Sequence, residues 1–223
     1  MQLPIIEKFL SIQGEGKNCG RVSYFLRLAG CNLNCTWCDT KYSWNEDSKA
    51  LIRSEDILSL SREINSNKAQ TIVITGGEPC LYKLDELISR IKNKTIEIET
   101  NGSIIPSFAI SGIEWSVSPK LKNAGQNVDE TVIQFWKNQS KLHTVYFKFV
   151  ARNDRHLSED LNEIKDLAEK FQIDSKLIYV MQESRSKESQ LNDMSGFIEK
   201  LLEYNFNYSP RIHTIAWDGM MGK

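Results

Sequence analysis

The sequence predicts an α/β protein: an open, partial β/α barrel built on a mostly parallel sheet of six or seven strands. Short runs of β-branched and aliphatic residues alternate with longer stretches of helical apolar period, the signature of a parallel α/β sheet. No repeat, low-complexity tract or linker divides the 223 residues, so one domain over residues 1–223 is expected at this length. Segments able to carry chemistry follow the strands repeatedly, as in β/α barrels, whose sites lie on loops at the strand C-termini.

The first strong strand is Val22–Leu28, which ends before a turn at Gly30. Ser54 reads as a helix N-cap, with Glu55 and Asp56 in the positive first turn and Ile57, Leu58, Leu60 and Ile64 on one apolar face. Residues 71–75 (TIVIT) form a buried strand closed by Gly76-Gly77-Glu78-Pro79. A helix over 82–92 shows Leu84, Leu87, Ile88 and Ile91, and a strand over 95–99 meets the Asn101-Gly102 turn. Ile113–Val117 is a further strand, running into Ser118-Pro119-Lys120. A helix over 129–139 leads to a strand over 144–150. Leu157 and Leu161 staple a helix start near Ser158, and a strand over 177–181 precedes Gln182. A last helix carries Leu191, Met194, Ile198, Leu201 and Leu202 before a final strand near 211–216.

Composition narrows the function. Hydrophobic content is 40%, yet no apolar run approaches the roughly 20 residues that cross a bilayer, and the first ten residues lack the basic start and apolar centre of a signal peptide. A cytoplasmic protein is expected. Net charge is −1 with no dense basic block, so a small-molecule substrate fits better than a nucleic acid. Five cysteines, three of them clustered, argue for a reducing compartment. Cys19 and Cys80 lie apart and are expected to be small packed residues. His143, His156 and His213 show no metal-ligand spacing and are expected to pack or face solvent.

Cys31, Cys35 and Cys38 lie within eight residues, and three thiolates this close suit a soft centre: iron–sulfur, zinc or copper. A structural zinc site is closed by four protein ligands, and no fourth cysteine or histidine lies near. An iron–sulfur cube held by three thiolates leaves one iron open to a substrate or cofactor.

Cys-x3-Cys-x2-Cys with Trp37 before the last cysteine resembles the cluster loop of radical S-adenosylmethionine enzymes. Ser11-Ile12-Gln13-Gly14-Glu15-Gly16 ahead of it and Cys38-Asp39-Thr40 at its end resemble the 7-carboxy-7-deazaguanine synthase branch. The resemblance implies a 4Fe–4S cluster on Cys31, Cys35 and Cys38, with S-adenosylmethionine at Trp37, Gly76, Gly77, Glu78, Ser118, Pro119, Lys120 and Gln182. A glycine-rich turn alone would also explain Gly76 to Pro79, and an exposed lysine after a strand is common. The resemblance places the pterin-like substrate at Ile12, Gln13, Gly14, Arg27, Thr75 and Glu99, and Mg2+ on Thr40. Arg27, whose planar fork suits a carboxylate, has an alternative role as the partner of a neighbouring acid, and Glu99 one as a loop acid.

The reaction implied is conversion of 6-carboxy-5,6,7,8-tetrahydropterin to 7-carboxy-7-deazaguanine with loss of ammonia, on the route to queuosine. Hydrogen would be removed from C6 and returned after ring contraction. The resemblance also implies a homodimer and a protein electron donor. The motifs thin beyond Asn123; the resemblance implies that the tail from Arg211 to Lys223 contacts substrate, but Asp218 to Lys223 carries no motif that matches and the tail is assigned no site residue. A glycyl-radical activating enzyme shares the cysteine spacing but acts on a protein, and a zinc or iron–sulfur module without catalysis is the other alternative.

Overall fold

The chain enters through β1 (Gln2–Ile12), which lies antiparallel between β2 (Val22–Leu28) and a short β3 (Arg53–Asp56). From β2 the sheet runs on in parallel through β4 (Thr71–Gly76), β5 (Thr95–Thr100), β6 (Ile113–Val117), β7 (Val145–Ala151), β8 (Ile178–Gln182) and β9 (Asn207–Ser209). The helices are α1 (Ser48–Leu51), α2 (Ile57–Ser66), α3 (Asp85–Arg90), α4 (Glu130–Gln139), α5 (Leu157–Phe171), α6 (Lys187–Leu191), α7 (Met194–Tyr204) and α8 (Ile212–Trp217). This computed structural model describes every residue except 47, 128, 221 and 223, so two residues of the motif-free tail lie outside the described residues. Among the described residues no helix is long and apolar enough to cross a membrane.

The barrel is open, because β3 and β9 end the strand order without pairing to each other. Among the described residues the sheet has nine strands rather than six or seven. The parallel part matches the expectation, and the excess is β1 and β3, an antiparallel edge. β1 carries Pro4 and charged residues at Glu7 and Lys8, which blur its alternation. β3 reads Arg-Ser-Glu-Asp and has no apolar signal; it exists because β1 offers it a free edge. Ser54 therefore sits in a strand, its hydroxyl donating to Gln2 Oε1 at 2.7 Å. Asp56 caps α2 instead, Oδ2 accepting from Ser59 N at 3.0 Å.

The other correction lies at the C-terminus. Residues 211–216 belong mostly to α8, and the last strand is the three-residue β9 before it. The β-branched pattern of His-Thr-Ile-Ala suggested a strand, but the Ile215 N–H donates to Arg211 O at 3.1 Å, and Arg211 is anchored elsewhere.

Period-two alternation gives the sheet two chemically different faces. Leu26, Leu28, Ile72, Ile74, Ile96, Ile98, Trp115, Val117, Phe147, Phe149, Ile178 and Val180 belong to one core cluster with Leu60 and Ile64 of α2, Ile133 and Trp136 of α4, and Ile164 of α5. Each such side chain contributes roughly 1.5–3 kcal/mol on burial. Trp115 and Trp136 pack with ring centroids 4.9 Å apart. The residues between these point the other way: Arg27, Thr75, Glu97, Glu99, Ser116, Tyr146 and Lys148. Register sets Arg27 beside Thr75 and Glu99 beside Ser116. The inner face is polar, and the site is built there.

Candidate active site

The cysteine loop follows β2 and is held by backbone. The Gly30 N–H donates to Ser43 O and the Glu78 N–H to Gly30 O, both at 2.8 Å. Cys31, Cys35 and Cys38 line one cavity of about 420 Å3. Burial raises the Cys31 and Cys35 thiols, with Lys120 opposing the effect at Cys35. N–H donors already face the sulfurs: Leu33 N at 3.4 Å and Asn101 Nδ2 at 3.7 Å from Cys31, and Trp44 Nε1 at 3.3 Å from Cys38. Such donors stabilise thiolates and tune any cluster on them. Among the described residues no group of three His, Cys, Asp or Glu side chains is placed to hold a single metal ion. Three thiols around one cavity fit the corners of a cluster better than a lone zinc.

The same cavity is lined by Ile12, Gln13, Gly14, Arg27, Trp37, Thr40, Thr75, Gly76, Gly77, Glu99, Ser118 and Lys120. Loop ends of β2, β4, β5 and β6 and the loop after β1 thus bring together most of the candidates chosen from sequence. Thr40 Oγ1 lies 3.7 Å from Cys38 Sγ. Arg27 Nε donates to Glu7 Oε1 at 2.6 Å, the ion pair that was its alternative role, while the guanidinium still borders the cavity. Lys120 Nζ donates to Ser118 Oγ at 2.7 Å and stands 5.5 Å from the Trp37 ring centroid; burial lowers its pKa.

Three candidates stay outside. Glu78 is fully buried, its carboxylate accepting from Thr100 Oγ1 and Asn101 N at 2.7 Å and from Cys80 N at 2.8 Å. It ties the β4 turn to the end of β5, and its side chain does not border the cavity. Gln182 turns toward α6, Nε2 donating to Ser189 O at 2.7 Å, because the strand alternation that brings Met181 to the cavity sends its neighbour away. Pro119 is likewise absent from the lining.

A charged cluster from distant segments completes the inner wall. Lys148 Nζ reaches Glu15 Oε2 at 2.5 Å and Glu99 Oε1 at 3.7 Å. Arg211 Nε donates to Glu15 Oε1 at 3.0 Å, and its terminal nitrogens donate to Asp39 Oδ2 and Ser184 O. His213 Nε2 is 3.7 Å from Glu15. Burial alone would raise the Glu15 carboxyl, but Lys148, Arg211 and His213 hold it far below the usual range. Burial lowers His213. His213 thus lines the cavity, against the expectation that it packs or faces solvent. The motif around Glu15 and the resemblance, which puts the tail from Arg211 onward at the substrate, hinted at this cluster; Lys148, Arg211 and His213 have no local signature of their own. Below it Glu97, fully buried, accepts from Tyr146 Oη at 2.7 Å, Asn18 Nδ2 at 3.0 Å and Gln13 Nε2 at 3.3 Å.

Residues 26–130 match the Radical SAM superfamily. The 7-carboxy-7-deazaguanine synthase of Pyrobaculum aerophilum is 31% identical over 225 residues, covering 98% of this chain and 96% of the relative. The crystal structure of QueE from Escherichia coli superposes with a TM-score of 0.72 at 26% identity, covering 94% of each chain. SuiB from Streptococcus suis, solved bound to S-adenosylmethionine, shares the fold with a TM-score of 0.53 at 19% identity, over 80% of this chain and 44% of that one. With a relative matched nearly end to end and the three-cysteine cavity in place, the chain belongs to the 7-carboxy-7-deazaguanine synthase family of the Radical SAM superfamily.

Proposed function

We propose that the protein converts 6-carboxy-5,6,7,8-tetrahydropterin to 7-carboxy-7-deazaguanine with release of ammonia, within queuosine and related deazapurine biosynthesis. The observation that carries this reading is the convergence of three thiols and a polar row, Arg27, Thr75, Glu99 and Lys148, on one cavity. Cys31, Cys35 and Cys38 would hold three corners of a 4Fe–4S cluster, and Gly76, Gly77, Trp37, Ser118 and Lys120 would border S-adenosylmethionine. When bound, the cluster and S-adenosylmethionine supply one-electron chemistry that no side chain provides.

The chain's own residues bind, orient and exclude water. Only Nε of Arg27 is engaged in a hydrogen bond among the described residues, so its terminal nitrogens are free to take the substrate carboxylate in the bidentate manner of a guanidinium. Glu99 and Gln13, linked at 3.1 Å, offer acceptors to the N–H edge of a pterin. Thr75, on the strand between those of Arg27 and Glu99, adds a hydroxyl. Lys148, kept charged by Glu15 and Glu99 against the effect of burial, compensates the negative charge this edge would otherwise concentrate. Thr40 would supply one oxygen to Mg2+, with substrate oxygens and water completing the shell.

The same reading expects a cytoplasmic homodimer served by a protein electron donor, without a nucleic-acid partner. A glycyl-radical activating enzyme and a non-catalytic metal module are not favoured by relatives matched over almost their whole length. The test is anaerobic reconstitution with iron and sulfide, then incubation with S-adenosylmethionine, reductant, Mg2+ and carboxytetrahydropterin. Mass spectrometry should find the deazapurine acid; cofactor cleavage without that product would reject the substrate and spare the reaction class.

A further inference from the structure

We propose that Asn123, itself oriented by Asp160, sets the angle of the Trp37 indole toward S-adenosylmethionine, so that both are positioning residues for cofactor binding. This rests on the reading that Trp37 borders the cofactor. Trp37 stands in the cysteine loop between Cys35 and Cys38 and lines the cavity. Its Nε1–H donates to Asn123 Oδ1 at 3.0 Å.

The Asn123 amide has one satisfactory orientation. Nδ2 gives one hydrogen to Val150 O and the other to Asp160 Oδ2, both at 2.9 Å, so only the oxygen remains for the indole. A flipped amide would set its oxygen against two acceptors and a nitrogen against the indole donor. Asp160 is 1% exposed and is held by Arg152 N at 2.8 Å, Nε at 3.0 Å and a terminal nitrogen at 2.6 Å. The turn that carries Asn123 is also stitched to the residue before the indole: Thr36 N donates to Ala124 O at 3.1 Å and Thr36 Oγ1 to Asn123 O at 3.2 Å. Neither Asn123, Asp160 nor Arg152 lines the cavity, so their influence on a ligand passes through Trp37. Without the hydrogen bond the indole is free to choose among the broad wells of its ring torsion.

The experiment measures equilibrium binding of S-adenosylmethionine to the reconstituted holoenzyme, with iron and sulfide counted for every sample. Asn123→Ala should raise the Kd about threefold to tenfold, the change expected for one hydrogen bond of ordinary net strength. Cluster content and the KM for the pterin should stay at wild-type values. In the Trp37→Phe background, which lacks the indole N–H, the same change should alter the Kd less than about twofold. Trp37→Phe alone reads the bond from its other side if Asn123→Ala fails to fold, and it too should weaken binding. An unchanged Kd, equal losses in both backgrounds, or a loss that only follows missing iron would overturn the inference while leaving the site intact. A loaded wild type that binds no S-adenosylmethionine would overturn the reading of the site and this inference with it.

Discussion

A methyl group added at Gly77 would sit 1.9 Å from the Gly30 carbonyl oxygen and 2.9 Å from Cys31 Cβ. The obstruction is backbone, so the cysteine loop itself must move. Gly77→Ala is expected to cost about 1–3 kcal/mol of stability and to cut iron incorporation severalfold, read by unfolding and by iron analysis after reconstitution. Glu97 supplies a second residue-scale prediction. Burial, helped by Glu99, pushes its carboxyl up to about 7, so the folded chain binds a proton more tightly than the unfolded one. Its contribution to stability is full below the ordinary carboxylate pKa and is lost as pH rises toward 7. Glu97→Gln should therefore match wild type near pH 5 and gain on it at pH 8 in urea unfolding; an equal difference at both pH values would reject the assignment. The cysteines and Gly76-Gly77 were legible because their chemistry needs close spacing in sequence. Glu97, Lys148 and His213 were not: strand register places the first two and α8 brings in the third, and none is near the others along the chain.

At the level of elements, α8 shows how a tertiary anchor overrides a local pattern. Arg211 precedes it, 5% exposed, and its guanidinium joins Glu15 after β1, Asp39 of the cysteine loop and Ser184 after β8. Removing one member of a buried ionic network leaves the others uncompensated. Arg211→Ala should cost about 3–5 kcal/mol, and Arg211→Lys should recover only part of it, since an ammonium cannot span three acceptors in one plane. Full recovery by lysine in denaturant titrations would count against this picture. The same logic explains which elements sequence reading found. β4 and β7 are almost wholly buried and announce themselves by largely apolar runs, and β5 by a strict Ile-Glu-Ile-Glu alternation. β3 and β9 are short and polar, and they owe their conformation to the strand edge each lies on. The connection from β5 to β6 has no helix.

Across the whole molecule the sheet divides labour between its two faces, and adjacent residues on one strand should therefore fail in opposite ways. Ile98 is fully buried on the helix-covered face, while its neighbour Glu99 borders the cavity, held by Gln13 at 3.1 Å and facing Lys148 at 3.7 Å. Ile98→Ala removes packed volume and should cost about 2–5 kcal/mol, with the KM for the pterin unchanged in the fraction that remains folded and loaded. Glu99→Gln keeps the shape and one acceptor oxygen while it removes a charge from a site that retains Glu15 beside Lys148. Its stability should stay within about 1 kcal/mol of wild type, whereas substrate affinity or turnover should fall by an order of magnitude or more, as expected when a buried polar recognition group loses its match. Unfolding curves and steady-state kinetics on the two variants separate the faces. Were Glu99→Gln to melt as early as Ile98→Ala with its kinetics intact, the polar face would be a structural network and the cavity would need another occupant.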